Sequence, residues 1–223
     1  MSNSPSHGRV HATATRKPPR AKPKQARALR TRAAVLTAAA ELFADHGYPH
    51  TSVADVAERV GMTPGAVYFH FRDKKDMAVE VVRELFRRWH SLTEQVREEG
   101  LPPLETARLL IDRLVGTFLD DAFAIAGTRL QAERSLIGTA LPPPYIESIA
   151  SLAATLAQAR GAGQLRKGVD PEAAARVIVA TAFGTQHISG VLHQHADLPR
   201  RWAETRELLF YSIAADPGAL EGA

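Results

Sequence analysis

Thr51-Ser52-Val53-Ala54-Asp55-Val56-Ala57-Glu58-Arg59-Val60-Gly61-Met62-Thr63-Pro64-Gly65-Ala66-Val67-Tyr68-Phe69-His70-Phe71 is the stretch that decides the fold. It reads as two short helices around a tight turn. The first covers about Val53–Val60, with Thr51 and Ser52 available as N-caps and Asp55 placed three residues after Ser52, in a capping-box arrangement. Gly61 supplies the positive φ of the turn. The second helix starts from Thr63 as N-cap with Pro64 at its first position, where no N–H is needed, and runs to about His70. Two such helices joined through glycine fit a helix-turn-helix, whose second helix can lie in the major groove of DNA.

The side chains suit that use. Ala57 allows the helices to approach each other, and Gly65 lets the backbone come close to a phosphate. Tyr68, His70 and Lys74 are donors for phosphate oxygens, while Thr63 and Phe69 can meet base edges or thymine methyl groups. The same residues also allow a plain packing role, with Tyr68, Phe69 and Phe71 as core.

Working outward, Leu29, Leu36, Ala40 and Phe43 recur at helical spacing from about Lys24 to His46, where Gly47 stops the helix. Residues 1–23 read as a polar, proline-punctuated basic arm. Residues 1–40 hold nine Lys and Arg and no acid, which leaves 19 of the 28 basic residues against all 24 acidic ones, a net of −5 beyond residue 40. A basic end on an acidic body suggests a polyanion met at one end, with Arg27 and Arg30 reaching for its backbone. On the C-terminal side a long amphipathic helix covers about Lys74 to Glu98, with Met77, Val81, Leu85, Trp89, Leu92 and Val96 on one face. Further helices are expected near 104–120, 122–138, 144–160, 171–193 and 199–214. No period-2 stretch stands out, so the chain is expected to be all-α, with a three-helix unit at 24–73, a larger bundle at 74–216 and a tail at 217–223.

The chain has no cysteine, which excludes a disulfide framework, a thiolate metal site and a cysteine nucleophile. No apolar run approaches the roughly 18 residues of a membrane span, and a cytoplasmic protein, nucleoid-associated when bound to DNA, is expected. His187, His193 and His195 have poor metal-ligand spacing. No nucleophile-elbow, phosphate-loop or dinucleotide motif is present. Neither an enzyme nor a cofactor is expected.

The segment Thr31 to Met77 resembles the DNA-binding domain of TetR-type transcriptional regulators, with Phe43, Gly47, Tyr48, Thr51, Ala57, Gly61, Gly65, Tyr68, His70, Phe71, Lys74 and Lys75 where that pattern expects such residues. The resemblance implies a homodimeric repressor reading a partly palindromic operator, with Arg27, Arg30, Thr51, Thr63, Pro64, Gly65, Ala66, Tyr68, Phe69, His70 and Lys74 at the DNA. Gly65-Ala66-Val67-Tyr68-Phe69-His70-Phe71, Ala126-Gly127-Thr128-Arg129-Leu130 and the Asp170-Pro171 helix opening are similar to the γ-butyrolactone receptor branch of streptomycetes. Arg129-Leu130-Gln131-Ala132-Glu133-Arg134 and Leu141-Pro142-Pro143-Pro144-Tyr145 look most like receptors for methylenomycin-type furan carboxylic acids. Pro64 departs from the Lys that many branch members carry before the recognition-helix glycine.

The resemblance also implies a ligand pocket between the long helix and those after it, formed by Phe86, Trp89, Arg129, Leu130, Gln131 and Tyr145 and closed by Phe183 and His187. The ligand would be a small autoinducer: a furan carboxylic acid, butenolide or γ-butyrolactone. Arg129 can pair with its carboxylate or with a nearby acid, and Trp89 is pocket wall or core. Val177, Ile178, Phe183, Ile188, Val191, Trp202, Leu208 and Leu209 are either a dimer face or core. A drug-sensing repressor of an efflux gene shares these features, and an architectural DNA-binding protein without a ligand shares the basic arm.

Overall fold

In the computed structural model, residues 23–216 and 218 are described. The basic arm lies outside the described residues except for Pro23, as does the tail except for Gly218. Ten helices are present among them: α1 (Pro23–His46), α2 (Val53–Arg59), α3 (Pro64–Tyr68), α4 (Lys74–Glu98), α5 (Pro103–Thr117), α6 (Ala122–Ala132), α7 (Arg134–Ile137), α8 (Ile146–Gly161), α9 (Pro171–His193) and α10 (Leu198–Ile213). The architecture is all-α, with one isolated antiparallel bridge between Leu165 and Ala214.

Side-chain caps account for five of the ten helix starts. Ser52 and Asp55 form a reciprocal capping box at α2, Thr63 Oγ1 accepts from Ala66 N at α3, and Asp73, Asp121 and Asp170 cap α4, α6 and α9. Gly61 closes the turn between α2 and α3 at φ +66°. α3 ends at Tyr68, two residues short of His70, because Phe69 is already its C-cap. The helix expected over 122–138 is two helices. It breaks at Glu133, and Gly138, at φ 66°, ends α7. The start expected at Pro144 falls at Ile146, since Tyr145 adopts a left-handed conformation at φ 65°.

Two hydrophobic clusters organise the chain. The first gathers Leu36 and Phe43 of α1, Val56, Val67, Phe71, and Met77 and Val81 from the first half of α4, and it also takes Phe123, Ala126 and Leu130 of α6 and Ile137 of α7. The second holds Trp89 and Val96 of α4 together with Leu110, Leu114, Phe118, Leu152, Leu156, Ile178, Trp202 and Phe210. At about 1.5 Å per residue, α4 is roughly 37 Å long, enough to serve both. α6 crosses it closely at Gly127, where a Cβ would stand 2.7 Å from Leu85 Cδ2.

Candidate nucleic-acid interface and ligand cleft

α3 is the exposed edge of the N-terminal unit. Val67 and Phe71 face inward, with relative exposures of 0% and 1%, while Tyr68 and Phe69 stand 52% and 83% exposed. Of the aromatics for which packing was the alternative, only Phe71 is core. Thr63, Pro64 and Gly65 are exposed and Ala66 and His70 half-buried, and a Cβ at Gly65 would meet only Thr63 Oγ1, at 4.0 Å. Nothing inside the protein requires glycine there. A Phe69 ring in water is an uncompensated apolar surface, while Tyr68 adds a free hydroxyl beside it. Arg27 and Arg30 lie exposed on the first turns of α1.

Two of the residues expected at the DNA are held elsewhere. Thr51 is 2% exposed and donates its hydroxyl to the carbonyls of Leu42 (3.2 Å) and Gly47 (2.9 Å), so it braces the corner between α1 and α2. Lys74 donates Nζ to the Tyr48 carbonyl at 2.7 Å and sits 4.1 Å from the centre of the Tyr48 ring. Burial lowers its pKa, with Asp55 opposing the shift. Its charge locks α4 to the α1–α2 corner. Arg32, which sequence reasoning did not select, pairs with Glu80 at 3.1 Å and lies over Phe71.

The ligand residues divide among three places. Arg129, Tyr145, Phe183 and His187 line one cleft of about 850 Å³ between α6 and α9, together with Thr128, Glu133, Gln186 and His195. Tyr145 and Phe183 meet edge to face at 4.7 Å, and Phe183 meets Phe118 in the same way at 5.7 Å. Burial raises the Tyr145 pKa, so its hydroxyl stays a donor. Trp89 belongs to the second core cluster and lines a smaller cavity of about 230 Å³ with Leu92 and Leu114. Phe86 and Leu130 pack into the first core cluster, Leu130 at 0% exposure, and line neither of these cavities. Gln131 is 7% exposed and donates Nε2 to the Pro142 carbonyl at 2.9 Å. Arg129 pairs with an acid of this chain, Glu133, at 3.1 Å.

Several polar atoms near this region are buried without a hydrogen-bond partner: Trp89 Nε1, Thr128 Oγ1, Gln131 Oε1 and Gln186 Oε1. Leaving such atoms unpaired costs about 1–3 kcal/mol each. Thr128 and Gln186 both line the 850 Å³ cleft, and no spacing in the sequence marked them. Their signal was polarity at helix positions that otherwise face inward.

The late helices sort into two faces. Ile178 and Trp202 are core and Phe183 is half-buried, whereas Val177, Ile188, Val191, Leu192, Leu208 and Tyr211 are 50–76% exposed.

A capped α2–turn–α3 unit on an all-α bundle defines a helix-turn-helix regulator. Residues 35–81 match the model of the bacterial regulatory proteins of the tetR family. The chain is similar to the A-factor receptor protein of Streptomyces griseus, 32% identical over 200 residues that cover 88% of this chain and 68% of that protein. A solved structure described as the molecular basis for control of antibiotic production by bacterial hormones is 51% identical, with a TM-score of 0.80 over 84% of this chain and 99% of that one. A crystal structure of a γ-butyrolactone receptor is 27% identical, with a TM-score of 0.72 over 85% of this chain and 90% of that one. The chain belongs to the TetR family, and it is a DNA-binding transcriptional regulator rather than an enzyme.

Proposed function

We propose that this regulator is a homodimeric repressor that holds a partly palindromic operator through α3 and the basic arm and leaves it when a small autoinducer enters the bundle. Residues 24–73 act as the DNA-binding domain and 74–216 as the ligand-binding and dimerisation domain. The observation that carries the operator half is the exposure of Tyr68 and Phe69 beside the open backbone of Gly65. Thr63, Pro64, Ala66 and His70 complete that surface, and Arg27 and Arg30 track the phosphates next to it. Lys74 and Thr51 act from behind, by holding the corner.

For the inducer, the α6–α9 cleft combines aromatic walls at Tyr145 and Phe183 with the unpartnered oxygens Thr128 Oγ1 and Gln186 Oε1. Apolar enclosure with a few directed polar groups suits an oxygenated amphiphile. The class is a furan carboxylic acid, butenolide or γ-butyrolactone, a reading supported by the likeness to an A-factor receptor, to a γ-butyrolactone receptor and to a structure described in terms of control of antibiotic production by bacterial hormones. The genes controlled are then those of antibiotic or other secondary-metabolite production. Dimerisation uses the exposed faces of α9 and α10, at Val177, Val191 and Leu208, because two recognition helices reading two half-sites multiply specificity. A ligand releases DNA only by preferring the dimer geometry that mismatches the grooves.

The test is fluorescence anisotropy of the purified protein on the DNA upstream of its own gene, at fixed salt, followed by synthetic members of the three ligand classes in turn. Release by one class is expected and names the chemistry. Specific binding that only lipophilic cations reverse would instead make it a drug sensor, and no preference over random DNA would overturn the repressor reading.

A further inference from the structure

The backbone of Tyr48 is held on both sides of its Cα. Its N–H donates to Oε2 of Glu133, the C-cap of α6, at 2.7 Å, and its carbonyl accepts from Lys74 Nζ of α4 at 2.7 Å. One turn before Glu133, Arg129 donates Nε to Glu133 Oε1 at 3.1 Å and Nη1 to the carbonyls of Ala44 at 2.9 Å and Asp45 at 3.2 Å. Those carbonyls belong to the last turn of α1, where they lack intrahelical partners and where a cation is favoured. Gly47 closes the joint. At φ +77° it sits so close that a Cβ would fall 2.6 Å from Glu133 Oε1 and 2.8 Å from an Arg129 guanidinium nitrogen.

The corner leads straight to the reading head. Thr51 returns its hydroxyl to Gly47, and Ser52 caps α2. On the other side, Arg129 and Glu133 both line the α6–α9 cleft. The same two side chains therefore touch the cleft and the end of α1. We propose that Arg129 and Glu133 are positioning residues that set the helix-turn-helix relative to the bundle, so that operator affinity depends on them although neither reaches DNA. Only the signalling half of this rests on the cleft being the inducer's site. Charge-assisted hydrogen bonds hold over only a few tenths of an ångström, so a displacement of α6 by about 1 Å breaks several at once. A cleft occupant that favours a displaced α6 would thereby unseat α1 and α2 together.

The test uses the full chain without inducer: operator affinity by anisotropy, hydrogen exchange at the Tyr48 amide, and the thermal midpoint. Glu133→Ala is expected to weaken operator binding tenfold or more and to speed exchange at Tyr48. Glu133→Gln keeps an acceptor for the Tyr48 N–H and should recover most of both, while Arg129→Lys, which keeps the charge but loses the fork, should fall between. Wild-type operator affinity in Glu133→Ala would overturn the proposal, as would faster exchange with no loss of affinity. If Glu133→Ala shows no cooperative melting transition, the graded losses in Glu133→Gln and Arg129→Lys decide, and wild-type affinity in both overturns it. A wild type with no preferred DNA would defeat the repressor reading instead, and exchange at Tyr48 would still show whether the joint holds.

Discussion

Around the helix-turn-helix, the buried hydroxyl of Thr51 donates to two carbonyls, whereas in the bundle Trp89 Nε1, Gln131 Oε1 and Gln186 Oε1 are buried with no partner. The reading head is finished without a ligand: its helices are capped, its turn glycine is in place, and its apolar excess points outward at Phe69. The bundle leaves polar atoms unpaired, at a cost of about 1–3 kcal/mol each, and Gln186 among them lines the α6–α9 cleft, where a bound molecule could pair it. Preformed recognition on one side and unspent hydrogen bonds on the other is the division expected of a chain that reads DNA with one half and a small molecule with the other.

The largest expected effect tests whether the halves fold as one. Phe43→Ala empties a fully buried site in the first core cluster, stacked on Tyr48, and should cost about 3–5 kcal/mol. Both tryptophans, Trp89 and Trp202, lie in the second cluster. Because α4 and α6 contribute to both clusters, tryptophan fluorescence and helical circular dichroism should shift to lower denaturant together. An unmoved fluorescence transition would split the molecule into two independent units.

Next comes the exposed edge. Phe69→Ala should leave the thermal midpoint where it is, since the ring is 83% exposed, yet weaken specific operator binding by about 1–3 kcal/mol if it meets a base. Competition against random DNA at fixed salt separates this from a phosphate contact, whose loss weakens both alike. A drop in thermal midpoint would mean that Phe69 packs against something in the dimer.

The bundle side predicts an opposite pattern for Gln131→Leu. That change removes both the unpartnered Oε1 and the bond from Nε2 to Pro142, so the two contributions offset to within about 1 kcal/mol. Operator affinity should be unchanged, while the concentration of whichever proposed ligand class releases DNA should rise about tenfold if that ligand reaches past the α6–α9 cleft to Gln131. Loss of folding would move Gln131 from ligand contact to structural brace.

What the sequence encodes locally follows the same division. Ser52, Asp55, Gly61, Thr63 and Pro64 act through neighbours a few residues away, so α2, the turn and α3 could be read from spacing alone. Thr51 and Lys74 could not, because their partners, Leu42, Gly47 and Tyr48, lie across a corner that only the fold closes. The packing of Phe86 and Leu130 into the first core cluster was hidden for a related reason. Helical periodicity gives a residue its face but not which cluster that face meets, and both α4 at Phe86 and α6 at Leu130 meet the cluster built on α1. The break at Glu133 was invisible because it comes with no proline or glycine; its carboxylate accepts from Tyr48 N, 85 residues away.

The smallest effect sharpens the local end of the comparison. Ser52→Ala removes the acceptor for the Asp55 N–H at the start of α2 and should cost about 0.5–2 kcal/mol. In return, the Ser52 backbone N–H donates to Asp55 Oδ2 at 2.7 Å, and this bond, with the Ser52 hydroxyl contributing next, holds the Asp55 carboxyl below its ordinary pKa of 3.8. A lowered native value means that the unfolded chain binds the proton more readily, so the contribution is complete above the ordinary value and is lost as pH falls through the lowered one. Wild type should therefore exceed Asp55→Asn in thermal midpoint at neutral pH, and the two should converge in acid. A gap that persists there would assign the stabilisation to packing at α2 rather than to the charged cap, leaving the reading head less self-sufficient than its sequence implies.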